Sequence, residues 1–337
     1  MEWYFRDISD DPSEKELTQQ DQFNNDEVAL AEALVRETIQ NSTDASLNRG
    51  QVKVRFALHD IAATAGTSII RQMVDGLAPS LRAAGFAIPQ PRDSMRLLVI
   101  EDFGTTGLKG AVDIKDNGQF CGFWRRFGRS NKKQAQGGRW GLGKLVFPSA
   151  SQARTVVGLT RRNDDSSSWL MGQAILRNHQ VNGIEKDSVG FWCDAKATRK
   201  GMPTSDAALC RGVSAEARLV RDGEPGLSLV VPHVLPEIEP SHLIAATVRN
   251  YYYPILTGKL VVEVDGTVID ATSFEAVSTS LGTEVVPAWM LTFVRELQVR
   301  RDAPADLVLP IEWQSKTISG ALLGPDQTEH PNVRTTV

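Results

Sequence analysis

One stretch, residues 30–45, constrains the fold and the chemistry of this chain most. It reads Leu-Ala-Glu-Ala-Leu-Val-Arg-Glu-Thr-Ile-Gln-Asn-Ser-Thr-Asp-Ala. Its spacing predicts a helix with two lines of side chains. One line is apolar and holds Val28, Val35 and Ile39. The other is predicted to be buried throughout, beginning apolar and ending polar, and it holds Leu30, Leu34, Glu37, Asn41 and Asp44. Inward-facing carboxylates and amides are costly unless a ligand, a metal ion or trapped water offsets them.

The alternative is an amphipathic helix with an irregular polar edge, and two later stretches bear on the choice. Residues 97–108 read Leu-Leu-Val-Ile-Glu-Asp-Phe-Gly-Thr-Thr-Gly-Leu. An apolar run bounded by turn residues predicts a buried strand. This strand would deliver Asp102 to a loop held by Gly104 and Gly107.

The second stretch, residues 137–147, is a glycine-rich turn that runs into an apolar helix. It reads Gly-Gly-Arg-Trp-Gly-Leu-Gly-Lys-Leu-Val-Phe. Backbone N–H groups exposed at such a helix start can cradle phosphates, and Lys144 could add a point charge. Each stretch alone is commonplace, but the three together, in this order and spacing, are far more specific.

Together the three stretches resemble the ATP-binding domains of the GHKL superfamily, which includes gyrase B, heat-shock chaperone ATPases, MutL, MORC ATPases and sensor histidine kinases. Residues 37–45 match its Glu-x-x-x-Asn-x-x-Asp-Ala box. Residues 102–107 match its Asp-x-Gly-x-Gly box with one extra residue, because Thr106 precedes the second glycine. Residues 138–143 match its Gly-x-x-Gly-x-Gly box.

The resemblance implies an α/β fold, the GHKL (Bergerat) sandwich of a mixed sheet covered by helices, followed by a second, smaller α/β domain. It implies ATP and Mg²⁺ as cofactors. Glu37 would position or deprotonate the attacking water, Asn41 would bind Mg²⁺, and Asp102 would accept the adenine amine. The implied nucleotide-binding residues are Asn41, Asp44, Asp102, Gly104, Gly107, Gly138, Arg139, Trp140, Gly141, Leu142, Gly143, Lys144 and Ser228.

Two further contacts of the superfamily lie outside its three boxes, one with adenine and one with the γ-phosphate. The strand that begins at Gly226 often starts Gly-Thr in related ATPases, with the threonine near adenine. Here Leu227 takes that place and Ser228 follows, which puts the adenine contact from this strand in doubt. A following domain supplies a lysine to the γ-phosphate in dimeric members, and Lys316 is the nearest candidate, with an ordinary surface lysine as the alternative.

The sequence predicts an N-terminal arm at 1–26, an ATP-binding domain at 27–233 and a transducer-like domain at 234–337, with a boundary marked by Pro232 and Pro236. The arm begins with three aromatic residues and is either frayed or docked, for example across a dimer. By resemblance, residues 109–136 stand where the superfamily has its ATP lid, and the alternative is a solvated basic face with a small aromatic core. The polar end of the chain is compatible with a fragment of a longer protein.

The remaining elements follow from periodicity and turn residues. Residues 178–223 give no clear pattern. Helices are predicted over 66–84, from Pro240 and over 287–298. Strands are predicted over 52–58, 96–101, 154–160, 169–176, 226–232, 259–264, 267–269 and 308–313.

Composition limits the possible partners and compartments. The 337 residues suggest about two domains, and a net charge of −4 argues against a nucleic-acid coat over the whole surface. Three separated cysteines and five histidines show no metal-ligand spacing. No secretory signal or membrane-length apolar window occurs. We therefore expect a cytoplasmic protein without a membrane partner.

The predicted function is Mg²⁺-dependent ATP binding and hydrolysis that drives lid closure and homodimerisation, acting on nucleic acid or a companion protein. The phrase Gly-Arg-Trp-Gly-Leu-Gly-Lys also resembles bacterial GHKL proteins found near anti-phage defence genes. The alternatives are a nucleotide-binding sensor or scaffold with negligible turnover, and phosphotransfer of the histidine-kinase type. Glu37 and the downstream domain favour hydrolysis, and we see no dimerisation helix of the histidine-kinase type before Glu37. The extra residue in the aspartate box and the missing Gly-Thr favour the sensor.

Overall fold

The computed structural model describes residues 1–8, 29–62, 64, 66–90, 94–113, 118–126 and 143–302. The chain divides into two compact units, Met1–Val286 and Pro287–Val337. The described part of the second unit contains one helix, α8 (Ala288–Asp302), where a helix is predicted over 287–298. The strand predicted over 308–313 lies outside the described residues.

The first unit is built on one ten-stranded sheet within the described residues. The strands are β1 (Glu2–Asp7), β2 (Val52–Ala62), β3 (Ser94–Phe103), β4 (Thr155–Arg161), β5 (Ser168–Ile175), β6 (His179–Val181), β7 (Ile184–Cys193), β8 (Gly226–Pro232), β9 (Leu260–Val264) and β10 (Thr267–Ile269). Their order is β1-β7-β5-β4-β8-β3-β2-β9-β10, and β6 pairs with β7. The sheet is mixed, because β2 and β9 run parallel while the other pairs are antiparallel.

Helices cover both faces of this sheet, which confirms the predicted α/β sandwich. The helices of the first unit are α1 (Leu30–Asp44), α2 (Ile69–Ala83), α3 (Gln119–Arg125), α4 (Val146–Ser149), α5 (Ala207–Glu216), α6 (Pro240–Leu256) and α7 (Phe274–Ser280). Side chains alternate between the two faces of a strand. Asp102 therefore faces α1, where Ser42 contacts it, and Glu101 points to the face that packs against α2 and α5.

The helix α2 shows why the periodic parts of the sequence are predictable. Ile70, Met73, Leu77 and Leu81, the residues at helical spacing, are buried in the cluster that packs on β3 and β5. Burial of each such side chain is worth about 1.5–3 kcal/mol. The helix begins after Ser68, whose hydroxyl accepts from Arg71 N at 3.0 Å, and its predicted boundaries are confirmed to within three residues.

Strands β2, β3, β4, β5 and β8 lie where the sequence predicts them. The predicted hairpin of β9 and β10 is also confirmed. Its turn is Asp265-Gly266, with φ of 44° and 82°, the two positive values that a type I′ turn requires. The patternless stretch 178–223 contains β6, β7 and α5, so it is regular in structure although its periodicity is weak.

The structure gives the setting of the amino-terminal aromatic residues and of the predicted domain boundary. The aromatic residues of the amino terminus lie in β1, which pairs with β7 of the same chain, and Trp3 Nε1 donates to Met73 O at 2.7 Å. The boundary predicted between residues 233 and 234 lies inside the first compact unit, because β9 pairs directly with β2 from Val52↔Leu260 to Phe56↔Val264.

Candidate functional site

The polar line of α1 becomes more exposed along the helix. Leu34 is fully buried, Glu37 and Asn41 are half-buried, and Asp44 is exposed. The prediction that this line ends buried is therefore wrong at Asp44. In the last turn of α1 it is Ser42 that faces Asp102 of the sheet, and Asp44 lies about 200° further round the helix. Asn41 Nδ2 donates to Glu37 Oε1 at 2.8 Å, so the first two polar residues of the line form one unit.

The glycine-rich stretch meets this pair at Gly143, which begins a short 3-10 helix, Gly143–Leu145. A Cβ atom added at Gly143 would overlap the Glu37 carboxylate. The structure thus brings together one residue from each of two predicted boxes. The other predicted residues of the glycine box lie outside the described residues. They are Gly138, Arg139, Trp140, Gly141 and Leu142.

Asp102, near the end of β3, is 8% exposed and its carboxylate accepts from three elements. Oδ1 accepts from the Thr105 hydroxyl and from Leu227 N, each at 2.7 Å. Oδ2 accepts from the Ser42 hydroxyl of α1 at 3.3 Å. Burial raises the pKa of Asp102, whereas the Arg221 guanidinium and then these hydrogen bonds act to lower it.

Two glycines hold the loop after Asp102, as the sequence predicts. Gly104 and Gly107 have φ of 73° and 68°, the left-handed region that glycine adopts without strain. A Cβ atom at either residue would overlap a backbone carbonyl oxygen, that of Gln51 or that of Arg161. The requirement for glycine is therefore structural, and direct nucleotide contact by these residues remains a prediction.

Ser228 lies on the opposite face of the sheet from the Asp102 carboxylate, because it pairs with Glu101 in the ladder. Its hydroxyl is buried and donates to Glu101 Oε1 at 3.2 Å. The side chain thus points away from the face on which Asp102 would meet adenine. The backbone N–H of Leu227 contacts Asp102 instead.

Arg221, which the sequence analysis missed, links these groups. Its Nη2 donates to the carbonyl oxygen of Asp102 at 2.6 Å and lies 3.8 Å from Asp102 Oδ1. Its Nε donates to Ser228 Oγ at 3.1 Å. Burial lowers the pKa of Arg221, whereas the carboxylates of Asp102, Glu101 and Glu224 raise it.

No motif marks Arg221, since it lies in the stretch without periodicity. Ser42 and Thr105 were also missed. Ser42 could have been found from helical spacing, because it lies one turn after the buried Thr38. Thr105 follows Asp102 by three residues, in the same turn, where its hydroxyl donates to the Asp102 carboxylate.

Lys144, predicted to add a positive charge for phosphates, does not point into solvent. It is 8% exposed, and its Nζ donates to Gly122 O of α3 at 2.6 Å. Burial lowers its pKa to about 7, against the opposing influence of Cys121 and Glu37. In this structure Lys144 ties the segment after Gly143 to α3.

The predicted lid is described only at 109–113 and 118–126. Its helix α3 has Phe120 and Trp124 fully buried, and Gln173 Nε2 donates to Trp124 O at 2.7 Å. This helix is therefore part of the core. Lys316, the predicted γ-phosphate lysine, lies outside the described residues.

The described residues contain no group of three or more His, Cys, Asp or Glu side chains placed to hold a metal ion. A Mg²⁺ ion bound with a nucleotide does not need such a group, because it takes one or two protein oxygens and shares phosphate oxygens and water. Asn41 fits such a role, because its Nδ2 is directed to Glu37 and its Oδ1 is the remaining polar atom. None of the described helices is long and apolar enough to cross a membrane.

No protein-family model matches the chain, and no curated protein matches it. Among solved structures, the ATPase region of Saccharomyces cerevisiae topoisomerase II aligns with 73% of this chain at 9% identity and a TM-score of 0.35. The ATPase and transducer domains of DNA topoisomerase II from Balamuthia mandrillaris align with 73% of it at 10% identity and a TM-score of 0.36. The alignments cover about half of those chains, 52% and 50%.

Proposed function

We propose that this chain is a GHKL-type ATPase that binds ATP along α1, with the base at Asp102 and the phosphates beside Glu37 and Gly143. The single observation that supports this most is that α1 contacts both other predicted boxes. Ser42 reaches Asp102, and Glu37 lies against Gly143. The two contacts are five residues apart, or about 7.5 Å along the helix axis.

At the base end, the Asp102 carboxylate would accept a hydrogen bond from the exocyclic amine of adenine. Oδ1 already accepts from Thr105 and Leu227, whereas Oδ2 has the single long contact with Ser42. Oδ2 is therefore the oxygen with capacity for a further donor. An ionised carboxylate offers only acceptors, which favours adenine over a base with a carbonyl at the same position.

At the phosphate end, Glu37 would take a proton from the attacking water. Its carboxylate is held on one side by Asn41 and on the other by the α-carbon of Gly143. Such positioning of a general base near the reacting water contributes to phosphoanhydride hydrolysis, together with electrostatic stabilisation of the phosphate oxygens. Mg²⁺, held by Asn41 Oδ1 and the nucleotide, would supply charge stabilisation of the phosphate oxygens.

The wider cycle is also a proposal. Closure of the predicted lid outside the buried helix α3, homodimerisation and a contact from Lys316 would follow ATP binding. Asp44 would lie at the exposed edge of the site. The output would act on nucleic acid or a companion protein, and a role in anti-phage defence in the cytoplasm is one setting for it. The resemblance of the three boxes supports these steps.

The test is ATP binding together with Mg²⁺-dependent phosphate release over a range of protein concentrations, for the wild type and Asp102→Asn. We expect turnover per chain to rise with concentration and Asp102→Asn to lose binding. Bound ATP without release would favour a sensor or scaffold, and transfer of label from γ-labelled ATP to the chain would favour a kinase. No binding by the wild type would refute the proposal.

A further inference from the structure

The guanidinium of Arg221 is buried at the start of β8, with its side chain 6% exposed. It lies over the ring of Phe103, with 4.8 Å from Cζ to the ring centroid. Nη2 donates to Leu227 O at 3.0 Å and Nη1 to Pro225 O at 2.9 Å. These bonds fix the backbone whose Leu227 N–H contacts Asp102 Oδ1, so Arg221 organises the base end of the proposed site.

Arg221 is also the one cation in contact with Asp102 among the described residues. Arg96 of β3 lies on the same face of the sheet as Asp102 but pairs with Glu239 at 3.4 Å. The cations Lys53 and Arg55 of β2 lie on the opposite face. There Arg55 pairs with Glu101 at 3.0 Å, and Lys53 pairs with Glu263 at 2.7 Å.

The other elements packed around Asp102 add no second cation. Strand β8 carries no titratable side chain, and α1 presents the Ser42 hydroxyl. Of the acidic residues on α1 near this end, Glu37 contacts Asn41 and Asp44 is exposed. The charge balance at Asp102 therefore depends on Arg221.

We propose that Arg221 is a positioning residue that holds Asp102 in its ionised, accepting form and thereby makes the site selective for a base with an exocyclic amine. The inference rests on the proposed ATP-binding function. Without the guanidinium, burial would favour the protonated carboxyl. A protonated carboxyl donates a hydrogen bond, so it suits the carbonyl oxygen of hypoxanthine better than the amine of adenine.

The first measurement needs no nucleotide. The side-chain ¹³C carboxyl resonance of Asp102, assigned with Asp102→Asn, is titrated in the ligand-free wild type, Arg221→Lys and Arg221→Met. We expect the midpoint to move up by about one pH unit or more in Arg221→Met, which is a tenfold change in the protonation equilibrium. Arg221→Lys keeps the charge with fewer donors, so its shift should be smaller.

The second measurement compares the affinities of ATP and inosine triphosphate in the same variants at several pH values. The preference for ATP should fall about tenfold in Arg221→Met for each unit by which the midpoint rises above the working pH. Arg55→Met is the matched control. It removes a cation from the same sheet, but this cation pairs with Glu101 and not with Asp102. This control should lose stability but keep the Asp102 midpoint and the ATP preference.

An Asp102 midpoint that is unchanged in both Arg221 variants would overturn the inference, as would an equal shift in Arg55→Met. If Arg221→Met does not fold, the midpoint and ATP preference of Arg221→Lys decide. Failure of the wild type to bind ATP would refute the proposed function and the base selectivity, while the ligand-free titration would still decide whether Arg221 controls the charge of Asp102.

Discussion

The carboxylate of Glu37 lies directly against the α-carbon of Gly143, so that even a methyl group at residue 143 would overlap it. Asn41 holds the same carboxylate from the other side through a 2.8 Å hydrogen bond. Glu37 is therefore fixed by a contact between α1 and the start of the short helix Gly143–Leu145. In the proposed ATPase, this contact sets where the general base meets the γ-phosphate.

Substitution Gly143→Ala should displace the Glu37 carboxylate and lower the rate of phosphate release about a hundredfold, because small displacements of a reacting group have effects of that size. ATP affinity should change much less. The measurement is phosphate release at saturating ATP together with the dissociation constant of ATP.

Gly122→Ala is the matched control for Gly143→Ala, since a Cβ atom at Gly122 has nothing within 4 Å. Residue 122 lies within α3, where alanine is favoured over glycine by about 0.5–1 kcal/mol. This variant should keep its turnover. Wild-type turnover in Gly143→Ala, or equal losses in both variants, would show that the contact with Glu37 does not matter for the rate.

Asp102 should make the ligand-free protein less stable as the pH rises. Burial raises its folded-state pKa above the ordinary value, so the folded state binds the proton more tightly than the unfolded state. The free energy of unfolding should then fall as the pH rises from the ordinary aspartate pKa through the raised one. Chemical denaturation across this window should show the fall in the wild type and a flatter profile in Asp102→Asn. Identical profiles would contradict the assignment.

Lys144 should make the protein more stable as the pH rises, the opposite of the effect of Asp102, and should do so at higher pH. Its folded-state pKa is lowered to about 7 from 10.5, so charging the buried amine opposes folding at neutral pH. The free energy of unfolding should rise between about pH 7 and the ordinary lysine pKa as this cost disappears. Lys144→Met should remove that rise, whereas Lys196→Met, at an exposed residue, should retain it. A rise that persists in Lys144→Met would rule out Lys144 as its source.

Local sequence patterns predicted those elements that depend on a single local requirement, such as apolar spacing or turn geometry. The helix α2 follows from four apolar residues at helical spacing, and β8 is a short apolar run that begins at Gly226. The turn at Asp265-Gly266 follows from the backbone angles that it requires. The three boxes likewise predicted Glu37, Asn41 and Asp102, and the structure places the first two in contact.

The parts that sequence could not supply depend on contacts between distant segments. Arg221 acquires its role because the chain returns beside β3, and no local pattern marks it. Lys144 follows glycines, as a phosphate-binding lysine would, yet the position of α3 turns it inward to Gly122. Asp44 continues a polar helical line, yet Ser42 is the residue of that turn that faces the sheet. In each case the tertiary arrangement decides the exposure of the side chain.

The most direct test of the proposed ATPase is a comparison of Glu37→Gln with the wild type, measuring both the dissociation constant of ATP and Mg²⁺-dependent phosphate release. Glutamine keeps an oxygen for Asn41 but cannot accept the proton of water. We expect ATP affinity to be retained and the rate to fall by about a hundredfold to ten-thousandfold, the range for loss of a general base. An unchanged rate, or parallel loss of binding and rate, would contradict the assignment of Glu37 as the general base.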